Sequence, residues 1–79
     1  MDQTEPRRTI VFVRLLDEGV DIWRPAPATD LGDGRYRLLA THDYDPELET
    51  WEFLPGVTVE CERQVKSAGW VRVATRALE

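Results

Sequence analysis

The sequence has few of the residues that most catalytic and metal-binding sites use. It contains one cysteine, Cys61, and one histidine, His42, which lies in an acidic stretch. No Ser/His/Asp or Cys/His arrangement is visible, so a nucleophile with an oriented base is missing. We therefore predict a protein that is not an enzyme and that uses neither a metal nor another cofactor.

Disulfides and membrane-spanning segments are missing as well. A lone cysteine cannot form an intrachain disulfide, which is typical of a reducing compartment. The apolar run at residues 10–13 ends at Arg14 and is too short for a signal sequence, and no run approaches the ~20 apolar residues of a transmembrane helix. These features predict a cytoplasmic protein that does not enter a membrane.

The charge is unbalanced towards acid. Fifteen Asp and Glu face ten Lys and Arg, giving a formal net charge of −5. Such a net field repels phosphate backbones and anionic membrane surfaces, so nucleic-acid binding is disfavoured. The chain has 79 residues, which is enough for one small domain. We predict a lead-in at residues 1–8 and a single domain at residues 9–77.

Short strand-like runs alternate with turn signals, and no helical stripe interrupts them. Residues 9–16 are rich in β-branched and apolar side chains and predict the central strand. Asp33-Gly34 predicts a two-residue hairpin turn, and Pro55-Gly56 fits the centre of a type II turn. Pro25 and Pro27 cannot donate ladder hydrogen bonds, so they predict a sheet edge or a bend, between one short strand at residues 20–24 and another at residues 28–32. Five or six strands in so short a chain favour a small all-β barrel.

The last two strands are predicted to form a hairpin with one inner and one outer face. Alternation places four valines inside and four charged residues outside. The inner set is Val57, Val59, Val71 and Val73, and the outer set is Glu60, Glu62, Arg72 and Arg76. Cys61 shares the inner parity, and Trp70 is expected to fill the core beside the preceding turn.

One resemblance covers most of the chain from Val11 to about Glu62. Leu15-Leu16-Asp17-Glu18-Gly19, then Trp23-Arg24-Pro25, then Trp51-x-Phe53-x-Pro55-Gly56-x-x-Val59 resembles a family of short uncharacterised bacterial proteins. That family is expected to form SH3-like barrels, so the resemblance implies a five- to six-stranded SH3-like barrel. It implies no activity and no functional residue.

A second resemblance concerns Tudor-like domains. The run from Trp23 through residues 31–36 to residues 43–45 is similar to the part of those domains that surrounds a methylated Lys or Arg with aromatic rings. A cation over ring faces and near a carboxylate is stabilised in such a cage. The resemblance nominates Trp23, Tyr36, Tyr44 and Asp45.

The pattern as a whole predicts a binding or regulatory module for a protein or peptide partner. We expect the contact at residues 23–27 together with the acidic loop at residues 43–51, including Trp51, since an open edge beside aromatic side chains suits an extended or basic peptide. A nucleic-acid-binding barrel is the alternative, using a stripe of Arg24, Arg35, Arg37, Arg72 and Arg76. A structural subunit, or an immunity-type inhibitor with an acidic face, is the third possibility.

Overall fold

The structure, a computed structural model, describes residues 7–18, 22–67 and 69–78. These ranges contain no helix. Six strands account for most of them: β1 (Arg7–Leu16), β2 (Ile22–Gly32), β3 (Arg35–Leu38), β4 (Thr50–Trp51), β5 (Thr58–Lys66) and β6 (Gly69–Ala77).

Five of the strands close into a ring. Antiparallel pairs join β1 to β2, β2 to β3, β3 to β5 and β5 to β6, and the ring closes where β6 meets β1 at Val73 and Phe12. That closing pair is parallel. It has to be, because five strands that alternate in direction bring the first and the fifth together pointing the same way. The small all-β barrel predicted from the sequence is confirmed.

β1 is the central strand, as predicted. It pairs with β2 along most of its length, with β6 at Phe12, and with the short β4 at its carboxyl end. Its alternate residues Val11, Val13 and Leu15 are buried. They join a core cluster contributed by every other strand of the ring and by β4, whose members are Ala26, Ala28, Tyr36, Leu38, Trp51, Val59 and Ala74.

β2 runs through both prolines without a break, whereas the sequence suggested two separate short strands. Residues 22–30 pair with β1, but β3 covers only residues 28–32 on the other side. The carbonyl of Pro27 accepts a hydrogen bond from the amide of Leu39, so residue 27 points its backbone away from β1. Pro25 has the same parity, and both proline nitrogens therefore face the side where no donor is needed. The predicted sheet edge is confirmed, and the break is wrong.

Both predicted turns are present. Asp33 and Gly34 have φ angles of 57° and 77°, as a two-residue type I′ hairpin turn requires. Gly56 has a φ of 94° after Pro55, in agreement with the predicted type II turn. The tight turn after β2 fixes the register of β3, whose Tyr36 and Leu38 are buried on the inner face.

A bulge in β6 changes which side chains face inward. Glu60 pairs with Arg76 but Cys61 pairs with Ala74, so Thr75 has no opposite residue. An extra residue reverses the parity of everything beyond it. Ala74 therefore joins the core cluster, and Val73 is buried without belonging to that cluster. The prediction that Arg72 and Arg76 share an outer face is wrong for this reason.

Two predicted boundaries differ from the structure or lie beyond it. Arg7 and Arg8 belong to β1 rather than to the lead-in, whose residues 1–6 are outside the described part. The predicted turn at Gly19 and the start of the next strand at Val20 are also outside it.

Candidate functional site

Two arginines turn towards opposite ends of the barrel interior. Arg24 precedes the buried Ala26 and Ala28 on β2, and it lies opposite Val13 of β1. Arg72 lies on β6 and reaches Thr9, which precedes the buried stretch of β1. Each guanidinium therefore sits where the apolar side chains stop, and each binds polar groups there.

Arg24 holds the loop of residues 39–49 against one end. Its Nη2 is 2.9 Å from Asp43 Oδ1, and its Nε is 3.3 Å from Glu49 Oε2. The Nε atom is buried and satisfies no hydrogen-bond geometry, so the contact with Glu49 is an ion pair without a directed bond. Glu49 in turn accepts a 2.9 Å hydrogen bond from Trp51 Nε1. Trp51 is thereby fixed as part of the barrel's end wall.

The pKa of Asp43 lies below its ordinary value because the Thr41 hydroxyl and the Arg24 guanidinium both stabilise the carboxylate. The Thr41 oxygen itself meets no hydrogen-bond geometry in the described part of the chain. The ion pair with Arg24 is therefore the better-defined of the two contacts. The side chain of Asp43 is mostly exposed, so solvent screens this contact strongly.

Arg72 binds polar groups at the other end. Its Nε donates a 2.9 Å hydrogen bond to the Tyr36 hydroxyl, and its Nη1 donates a 3.3 Å bond to Thr9 Oγ1. The guanidinium carbon also lies 5.5 Å from the centre of the Tyr36 ring. The half-buried Cys61 sits nearby, and burial raises the pKa of its thiol to about 11 in spite of the opposing charge of Arg72. Cys61 is therefore a protonated packing residue at neutral pH.

The residues nominated as an aromatic cage are distributed over separate places. Tyr36 is 9% exposed in the core, and Tyr44 packs edge-on against the buried Trp51 with ring centres 5.0 Å apart. Trp23 is half-buried on the outside of β2, and Lys66 Nζ lies 4.2 Å from its ring centre. Since a cage needs several open ring faces around one gap, this arrangement offers none of the expected form.

Asp45 has a local structural contact. Its carboxylate accepts a 2.9 Å hydrogen bond from the Glu47 amide, and its carbonyl accepts bonds from the Leu48 and Glu49 amides. The acidic loop is thus an ordered turn. The use of Trp23, Tyr36, Tyr44, Asp45 and Trp51 for partner binding stays a prediction.

The predicted arginine stripe is divided by the fold. Arg24 and the exposed Arg72 turn to the barrel ends, whereas Arg35 and Arg37 of β3 and Arg76 of β6 are exposed on the outer face. Glu60 stands between Arg35 and Arg76 in the strand register, and its Oε1 is 2.7 Å from Arg76 Nη2. An ion pair of exposed groups like this one contributes roughly 0 to 1 kcal/mol. Three of the five arginines thus share a surface.

The most exposed aromatic residue is one that sequence reasoning placed in the core. Trp70 is 66% exposed, and Val65, its cross-strand neighbour in the β5–β6 hairpin, is 64% exposed. Arg63 lies 5.5 Å from the centre of the Trp70 ring. We call Arg63, Val65, Lys66 and Trp70 the hairpin tip. Trp70 shares its parity with Arg72, so the alternation that predicted an outer Arg72 already indicated an exposed Trp70.

Comparison of the chain with family models, curated proteins and solved structures found no significant match. Among the described residues, no three His, Cys, Asp or Glu side chains are grouped so that they could hold a metal ion, and no helix could span a membrane. The resemblances to SH3-like and Tudor-like families remain predictions.

Proposed function

We propose that this chain is a non-catalytic binding module that engages a protein partner through the hairpin tip. The observation that carries the proposal is the exposure of Trp70 at 66% beside Val65 at 64%. Tryptophan and arginine are enriched among the residues that dominate the binding energy of protein interfaces. The hairpin tip combines both with an aliphatic neighbour.

The hairpin tip is also held in place before any partner arrives. Arg63 packs near the Trp70 ring from the same strand pair, and Lys66 fastens the tip to Trp23 at the start of β2. Ordering of long side chains is a cost of association, so a surface that is already ordered binds more tightly for the same area. These contacts support a specific interface rather than a mobile arm.

The open edge of β2, where the sequence suggested strand addition, is less suited to a peptide. The backbone hydrogen-bonding groups of residues 23, 25 and 27 face away from β1. Of these three residues, only Trp23 has a backbone N–H. A peptide strand added there would find acceptors but almost no donors, and prolines are a common protection of sheet edges. We therefore assign the contact to the hairpin tip instead of residues 23–27.

The test is a pull-down of the tagged chain from the lysate of its own cells, in the presence of nuclease, with the wild type and two variants. Trp70→Ala removes the centre of the hairpin tip. Ile10→Ala is the matched control, since Ile10 is a large apolar residue on β1 that is 50% exposed. We expect one protein in near-equal amount with the wild type and the control, and its loss with Trp70→Ala. Equal recovery with all three would refute the assignment.

A nucleic acid is the second candidate, favoured by one observation. The strand register aligns Arg8, Thr29, Arg37 and Thr58 across β1, β2, β3 and β5, with the exposed Arg35 and Arg76 close by. Such a row could follow a phosphate backbone. Binding of a labelled single-stranded RNA should then weaken steeply with salt, and Arg37→Ala should reduce the logarithmic salt slope by about one phosphate contact. Electrostatic binding to nucleic acid is strong at low salt, so absence of RNA binding at about 50 mM salt would exclude this candidate.

A further inference from the structure

All of the net charge of this protein comes from one segment. Residues 43–54, which we call the acidic segment, contain five carboxylates and no Lys or Arg, and the formal net charge of the whole chain is −5. The other ten acidic residues balance the ten basic residues. The carboxylates are Asp43, Asp45, Glu47, Glu49 and Glu52. Arg24, which contacts Asp43 and Glu49, offsets part of this charge locally.

The acidic segment also exposes large apolar side chains. Leu48 is 77% exposed and Leu54 is 53% exposed. Leu48 lies in the turn that Asp45 closes with a side-chain and two main-chain hydrogen bonds, so its position is fixed. The segment therefore presents ordered apolar groups within a negative field.

The hairpin tip presents the opposite combination. Residues 62–70 carry Arg63 and Lys66 against the single carboxylate of Glu62, and they expose Val65 and Trp70. Each surface thus has two exposed apolar residues, and the signs of charge are opposite. Complementary potentials of this kind steer association and fix which surfaces meet.

We propose that the partner of the hairpin tip is the acidic segment of a second copy of this chain, docked head to tail. The inference rests on the proposed function, because it uses the same surface and names its occupant. Trp70 and Val65 of one copy cover Leu48 and Leu54 of the next, while Arg63 and Lys66 approach the carboxylates. Two different surfaces meet, so the contact is heterologous. In a pair, one copy keeps its acidic segment free and the other keeps its hairpin tip free, and further copies can add at either end.

A heterologous contact makes a prediction that a symmetric one does not. Trp70→Ser destroys the hairpin tip only, and Leu48→Ser destroys the acidic segment only. Both side chains are mostly exposed, so both variants keep the fold, which circular dichroism verifies. Each variant alone should be monomeric, with association weakened on the order of thirty-fold for loss of a central tryptophan. Mixed together, they should form a one-to-one dimer and nothing larger, since only one intact pair of surfaces remains.

The experiment is sedimentation equilibrium of the purified full chain over a concentration series, at low and at high salt. The proposal expects the wild-type mass to rise with concentration and to fall with added salt, because salt screens the attraction. Ile10→Ser, outside both surfaces, should behave as the wild type. A monomeric wild type would overturn the proposal, as would a Leu48→Ser variant that still associates or a mixture that stays monomeric. The Trp70-dependent pull-down decides the proposed function separately, because the chain can capture a different protein even if it does not self-associate.

Discussion

Arg72 should stabilise the barrel by bonding to the hydroxyl of Tyr36, and this contact can be isolated. The bond from Arg72 Nε to the Tyr36 oxygen is 2.9 Å long and part-buried. Three variants form a thermodynamic cycle: Tyr36→Phe, Arg72→Met and the double substitution. Methionine keeps much of the aliphatic stem, so the cycle removes the polar contact with little change in packing.

The expected magnitude follows from the geometry. A hydrogen bond to a charged group contributes about 1.5 to 3 kcal/mol when it is buried, and about half of that is reasonable where solvent reaches the guanidinium. Each single substitution should therefore cost about 1 kcal/mol, since it also leaves the other partner without its bond. The double variant should be about 1 kcal/mol more stable than the sum of the two losses implies. For a domain of this size, each such loss lowers Tm by roughly 4 to 8 °C.

Urea unfolding, followed by tryptophan fluorescence, measures all four free energies of unfolding. Arg76→Met is the matched control, because Arg76 pairs with Glu60 in an exposed ion pair and should change stability by less than ~1 kcal/mol. Strict additivity of the two substitutions, within about 0.3 kcal/mol, would show that Arg72 is not coupled to Tyr36. Arg72 would then be available for the nucleic-acid stripe.

Three further outcomes are expected. Gly34→Ala should destabilise the chain by about 1 to 2 kcal/mol in urea unfolding, because residue 34 has a positive φ of 77°. The thiol of Cys61 should react with a disulfide reagent far more slowly in the folded than in the unfolded chain at pH 8. Because the pKa of this thiol is about 11 in the folded chain against 9.0 in the unfolded chain, the free energy of unfolding should fall as the pH rises from 9 to 11. Asp43→Asn should flatten the acid limb of a pH titration of stability, because the lowered pKa of Asp43 contributes stability above its ordinary value of 3.8 that is lost as the pH falls below it.

The local parts of the fold could be predicted because single residues determine them. Asp33-Gly34 adopts positive φ angles that few other pairs tolerate, and that turn sets the register of β2 and β3. Pro25 and Pro27 mark the edge of β2 because their nitrogens cannot donate. In each case the covalent chemistry of the residue limits the backbone, whatever the rest of the chain does.

The face of the β5–β6 hairpin could not be predicted in the same way. The sequence around Thr75 has no glycine or other residue that requires a bulge, so alternation was extended past it. β6 pairs with β5 on one side and with β1 on the other, and bulges are common where a sheet bends to close a barrel. Arg72 therefore lies on the same side as Ala74 and reaches Tyr36 and Thr9, whereas alternation predicted an outer Arg72.

The net charge of −5, which disfavours nucleic-acid binding when taken alone, averages over surfaces whose charges have opposite signs. At physiological salt an exposed charge acts over about 8 Å, so a partner senses the charges near its own contact and little else. The acidic segment carries charge equal to the whole net value, and the outer row with Arg8 and Arg37 lies on a different part of the barrel. Each surface therefore selects its partner by its own sign. A chain that repels phosphate on average can still attract it on one face, and two copies that repel on average can still dock where the hairpin tip meets the acidic segment.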